Sequence, residues 1–200
     1  MSADTSTTKP DLETRCRAMF ERDTRDWEVK ILHDEGLYRH FIARNNRRFG
    51  HHAEIVTVPH SLTISTGFGS ATFRRIEDML NFFGTGDVNA DYWAEKCDTF
   101  TGRAAMRGFD MDEARRSADA VMEASGIDPA VWAEHADHEL ADGFGAAMLR
   151  AEMEDCATVN GVELSALWEN DFTSWDYGFL WTLHAIPKAI AMYRAARGKS

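Results

Sequence analysis

From Trp27 onward the chain changes its hydrophobic period once. Between Trp27 and Arg74 apolar residues recur at every second position, and from Ile76 onward they recur at three and four. A period of two belongs to a strand with one face buried, and 3.6 to a helix with one face buried. One segment cannot satisfy both. The order therefore predicts an α+β fold, strands first and helices second, rather than α/β, which would interleave the two periods.

Within the first part, Trp27, Val29 and Ile31 alternate with Glu28 and Lys30 and predict a strand. Asp34-Glu35-Gly36 is a turn, and Leu37 to Arg44 is the second strand of a hairpin. Glu54 to Val58 is β-branched and stops at Pro59, a residue that strands tolerate at their edges. Leu62 and Ile64 mark a fourth strand, and Ala71 to Arg74, after Gly67 and Gly69, a fifth. The expectation is an antiparallel meander of four or five strands, packed by the helical C-terminal half.

In the second part, Ile76, Met79, Leu80 and Phe83 share a helix face. Asn89 caps a helix over Ala90 to Cys97, and Asp110 with Glu113 has the capping-box spacing before Ala114, Ala118, Val121 and Met122. Asp128-Pro129 starts a helix read to Ala157, irregular at Gly143 and Gly145. The last helix, Tyr177 to Arg197, is expected to kink or restart at Pro187. The organisation reads as a flexible, charged N-terminal segment (1–25, with a short helix from Leu12), the sheet with short helices (26–100), and an acidic helical half (101–200) compact with the sheet. Trp175, Tyr177, Phe179 and Trp181 read as anchors of the last helix on the sheet.

Charge separates the same two parts. The chain of 200 residues carries 33 acids and 22 bases, a net of −11. Arg22 to Arg75 has nine Lys/Arg against six Asp/Glu, whereas Asp110 to Asp176 has seventeen Asp/Glu against Arg115, Arg116 and Arg150. A net of −14 over 67 residues argues against a uniformly basic nucleic-acid binder. It fits solvated helix faces or a surface for a basic groove. The candidate partner-binding acids are Glu134, Asp137, Glu139, Asp142, Glu152, Glu154, Asp155, Glu169, Asp171 and Asp176. The candidate nucleic-acid contacts on the sheet are Arg39, Arg44, Arg47, Arg48, Arg74 and Arg75.

Motifs of catalysis are weak. Glu134-His135-Ala136-Asp137-His138-Glu139 places His and carboxylate four apart on a helix, but it is neither His-Glu-x-x-His nor the Glu-x-x-His of di-iron bundles. Thr66-Gly67-Phe68-Gly69-Ser70 lacks the third glycine of a dinucleotide loop and reads as a hairpin turn. His184 reads as a buried core histidine. Cys16, Cys97 and Cys156 are too scattered for a disulfide or zinc framework and read as free thiols. No cofactor, metal or catalytic residue is assigned. No apolar run is long enough for a membrane span, and the opening MSADTSTTKPDLETR has no apolar signal core, which reads as a cytoplasmic chain.

Several runs carry a resemblance. Trp27-Glu28-Val29, Leu32-His33-Asp34-Glu35-Gly36-Leu37-Tyr38-Arg39-His40, Ile55-Val56-Thr57-Val58-Pro59 and Phe73-Arg74-Arg75-Ile76-Glu77-Asp78-Met79 are among them. So are Asn89-Ala90-Asp91-Tyr92-Trp93-Ala94-Glu95-Lys96 and Trp168-Glu169-Asn170-Asp171-Phe172 with Trp175-Asp176-Tyr177. Together they resemble a family of small bacteriophage and prophage proteins, over most of residues 26–195. The resemblance implies an accessory protein acting in the cytoplasm of an infected or lysogenic bacterial host. Such genes often oppose host defence, anti-CRISPR proteins included. The expected function is stoichiometric, non-enzymatic inhibition of a host protein or ribonucleoprotein complex with a basic groove, through an acidic surface that imitates nucleic-acid charge. The alternatives are a nucleic-acid-binding accessory protein using the sheet arginines, or a metal-dependent enzyme with His135 and His138. Homodimerisation stays open.

Overall fold

The computed structural model describes residues 11–46, 51–84, 87–102, 106–135, 145–164 and 172–198. The chain divides into two compact units. Unit 1 comprises residues 1–106 with 175–200, and unit 2 residues 107–174.

Unit 1 is built on an antiparallel sheet of six strands in the order of the chain: β1 (Glu28–Glu35), β2 (Tyr38–Arg44), β3 (His52–Val58), β4 (Ser61–Thr66), β5 (Gly69–Arg74) and β6 (Cys97–Gly102). The register follows from burial. Phe41 faces Ile55, Ile55 faces Ile64, Ile64 faces Ala71, and Leu62 faces Phe73, all fully or almost fully buried. A slip by one residue would expose this whole set. The opposite face carries polar pairs: Thr63 with Thr72 at 3.0 Å, Ser65 with Ser70 at 2.9 Å, and His40 with Glu54 at 2.6 Å. Gly36 closes the first hairpin at φ 58, a left-handed conformation that glycine adopts without a side-chain penalty.

The long helix α7 (Tyr177–Arg197) lies on the apolar face, with Leu183, Ile186, Ile190 and Tyr193 buried. Helix α1 (Leu12–Asp23) packs beside it through Cys16 and Phe20. Phe20, Trp27 and Trp181 meet edge to face at ring separations of 5.2–6.1 Å. Trp175, Tyr177, Phe179 and Trp181 all join the sheet core, as their crowding near the start of the last helix implies. Two short helices, α2 (Met79–Phe83) and α3 (Ala90–Ala94), stand between β5 and β6.

Two expectations are corrected in this unit. The helix expected over Ala90 to Cys97 stops at Ala94, and the next residues form a sixth strand. Thr99 and Thr101 are β-branched and alternate with Phe100, which lies opposite Ala71 and packs edge to face on Phe179 at 5.2 Å. The open edge of β5 supplies the pairing that short-range pattern does not reveal. Helix α7 also runs through Pro187 as one element and does not restart there. The proline removes one backbone bond, but Leu183, Ala185, Ile186, Ala189 and Ile190 around it are buried and hold the helix in place.

Unit 2 contains α4 (Met111–Ala124), α5 (Pro129–His135) and α6 (Gly145–Val159). Its core is Ala114, Ala118, Met122, Ile127, Trp132, Leu149, Met153, Cys156 and Phe172. The helix expected from Pro129 to Ala157 is thus two helices, with residues 136–144 outside the described set. Helix α6 begins at Gly145, where a Cβ would run into the Phe109 ring. No helix among the described residues is long and apolar enough to cross a membrane.

Candidate functional site

The acids are concentrated in unit 2. This unit carries sixteen Asp/Glu against four Arg, a net of −12, whereas unit 1 carries seventeen acids against eighteen bases, a net of +1. Part of the acid content is used locally. Asp110 caps α4 by accepting from the Glu113 N–H at 3.0 Å. Asp119 accepts from the Trp132 indole at 2.8 Å, and Glu113 pairs with Arg116. Asp155, 71% exposed, meets His135 Nε2 at 3.3 Å, which ties α6 to α5. By contrast, Glu123, Glu134, Glu154 and Glu163 are exposed and have no cation within salt-bridge distance among the described residues.

The expected partner-binding acids divide accordingly. Glu134 is exposed on α5 beside His135, which meets Asp155, and Glu154 adjoins Asp155 in the sequence of α6. Glu152 is half-buried, with Oε2 buried and unpaired. Asp176 belongs to unit 1 and is a helix cap: its carboxylate accepts from the Phe179 N–H at 3.0 Å. This structural role separates it from the acidic unit. Asp137, Glu139, Asp142, Glu169 and Asp171 lie outside the described residues.

His135 is joined to Asp155, while its proposed companion His138 lies outside the described residues. Among the described residues no group of three His, Cys, Asp or Glu side chains could hold a metal ion.

The sheet arginines differ in exposure. Arg39 is 8% exposed and makes a two-pronged pair with Asp78, Nη1 to Oδ1 at 2.8 Å and Nη2 to Oδ2 at 3.0 Å. It is withdrawn from any nucleic-acid surface. Arg74 pairs with Asp98 at 2.8 Å, and Arg44 donates to Asn46 at 3.2 Å. Arg75 is exposed, and Arg47 and Arg48 lie outside the described residues.

A constellation that sequence reading missed surrounds Arg39. The Tyr193 hydroxyl donates to Asp34 at 2.8 Å, and Arg197 Nε reaches the other oxygen of Asp34 at 2.8 Å. Arg194 donates to the Leu80 carbonyl and to Asn81 Oδ1, both at 3.0 Å. Hydrogen bonds from Arg39 hold the Asp78 carboxyl below the usual carboxylate range. Burial, and then the bond to Asp34, push the Tyr193 phenol up. The members lie at positions 34, 39, 78, 81 and 193–197, so no local motif could reveal them. The nearest signal was the basic chain end.

The three thiols are weak nucleophiles. Burial pushes the Cys16 thiol up to about 12 and the Cys97 thiol up to about 11, and it raises Cys156 as well. A thiol that stays protonated is a poor nucleophile. Thr66-Gly67-Phe68-Gly69-Ser70 is the β4–β5 hairpin, with the Phe68 N–H bonded to Thr66 Oγ1 at 3.2 Å. No family model, curated protein or solved structure matches the chain.

Proposed function

We propose that the protein acts by stoichiometric binding, and that unit 2 is an acidic module that occupies a Lys/Arg-lined groove on a partner protein or ribonucleoprotein. The observation that carries this reading is the confinement of the charge. Unit 2 has a net of −12 and unit 1 a net of +1. Exposed Glu123, Glu134, Glu154 and Glu163 have no cation within salt-bridge distance among the described residues. Surfaces of one sign steer a partner of the other sign and make association fast and salt-sensitive. The resemblance to phage and prophage proteins supports a bacterial host complex that handles nucleic acid as the partner class, and inhibition of it in the host cytoplasm as the outcome.

The experiment is affinity capture from bacterial lysate at rising salt, with excess duplex DNA or RNA as competitor. A nucleic-acid-handling partner should be held at low salt, released as salt rises, and displaced by the competing polyanion. The combined variant Glu123→Lys, Glu134→Lys, Glu154→Lys and Asp155→Lys should lose it. Retention of the same partner by that variant, or no partner at low salt, overturns the reading.

A further inference from the structure

Unit 1 contains a cleft of about 460 Å³ lined by Arg39, Asp78, Asn81, Tyr193, Arg194 and Arg197, with Leu80 and Gly198 at its wall. Three guanidiniums converge there on two carboxylates. Asp78 is taken up by the two prongs of Arg39, and Asp34 by Tyr193 and Arg197. Among the described residues Arg194 has only neutral acceptors, the carbonyls of Leu80 and Gly84 and the side chain of Asn81, which leaves one positive charge in excess among them.

Donors are in excess too. The terminal nitrogens of Arg197 have no partner among the described residues, and that side chain is 56% exposed, at the mouth. The walls are held in place by packing: Tyr193 is 2% exposed and stacks on Phe41 at 4.5 Å. Guanidinium forks match the paired oxygens of a phosphate, and fixed forks lose little freedom when they bind one.

We infer that this cleft is a binding site for a phosphate group, free or as a phosphomonoester, held by Arg194 and Arg197 with Arg39 behind them. It stands apart from the acidic-module reading, because none of its residues belongs to unit 2.

The test is calorimetric titration of the full chain with inorganic phosphate, glycerol phosphate, succinate and sodium chloride at matched ionic strength. Saturable binding of either phosphate compound, and not of succinate or chloride, is the expected result. Binding of both leaves the source free or esterified; binding of glycerol phosphate alone assigns an ester. Arg197→Gln removes an exposed side chain and should weaken binding roughly tenfold, with the unfolding temperature of the unliganded protein little changed. Arg194→Gln should do the same, and Arg197→Gln serves alone if that variant fails to fold. Phosphate should also slow phenylglyoxal modification of Arg194 and Arg197, read by mass spectrometry. Absence of saturable binding, equal binding of succinate or chloride, or wild-type affinity in Arg197→Gln overturns the inference.

Discussion

Removing the partner of a buried charge tests the core of unit 1 most directly. Arg39 rises from β2 into the region where α2 begins, and Asp78 holds it by two bonds of 2.8 and 3.0 Å. The same carboxylate accepts from the Leu80 N–H at 3.1 Å and so caps α2. Asp78→Ala strands a guanidinium whose Nε is already unpaired, at a cost of about 3–5 kcal/mol for a broken buried pair. The lower end applies, because the Asp78 side chain is 25% exposed and water can reach the site. Loss of the cap adds about 1 kcal/mol. Asp78→Asn can keep the cap but not the charge, so it should cost about 3 kcal/mol against about 4 for Asp78→Ala. Arg39→Met in the Asp78→Ala background replaces the stranded charge by apolar volume and should recover about 2 kcal/mol. The depressed Asp78 carboxyl adds an acid signature. Its contribution is fully present above the ordinary carboxylate value near pH 4 and is lost as pH falls through the lower folded value. Urea unfolding followed by near-UV circular dichroism, with the slope checked for constancy, measures all four proteins. Asp78→Ala within about 1 kcal/mol of wild type, or no recovery in the double variant, would refute the reasoning.

Two further outcomes follow from the packing of α7. Burial, and then Arg17, push the His184 imidazole down, and its Nε2 has no partner; the folded state thus resists protonation, stability falls as pH drops below about 6.5 toward the folded value, and His184→Leu should flatten that slope between pH 7.5 and 5 in thermal unfolding. Gly178→Ala should destabilise by about 1–3 kcal/mol in urea, since its Cβ would stand 2.9 Å from Phe68 Cβ; a stabilised variant would mean that helix propensity outweighs that contact.

What could be read from the sequence was what local period and local caps encode. The alternation of Phe41, Ala43, Ile55, Leu62, Ile64, Ala71 and Phe73 placed four strands and their buried face. Asn89, Asp110 and Asp128 marked helix starts, and in α3 and α4 the caps are closed by side-chain bonds to the backbone. What could not be read depends on partners far along the chain. The sixth strand forms because β5 offers an unpaired edge, and Pro187 stays helical because the sheet buries its neighbours. Net charge by segment pointed to the acidic region, but it could not separate Asp176, a cap, from Glu154, an unpaired surface group. Nor could it distinguish Arg39, buried against a residue 39 positions away, from Arg75 on the surface.

That last distinction gives the charge its meaning. In unit 1, Arg17, Arg22, Arg39, Arg74, Lys96 and Arg197 each meet a carboxylate of the same unit. Paired charges cancel within a few ångströms, and the unit as a whole carries a net of +1. In unit 2 the bases are too few to cancel the acids, and the residual field extends about 8–10 Å into solvent at physiological salt before screening removes it. Mutual repulsion among these carboxylates works against the fold of a unit with a small core. A partner with a basic groove would relieve that repulsion, so the same residues that weaken unit 2 alone would strengthen the complex. Charge reversal should therefore act in opposite directions on the two, a pattern that a merely solvated helix face would not produce.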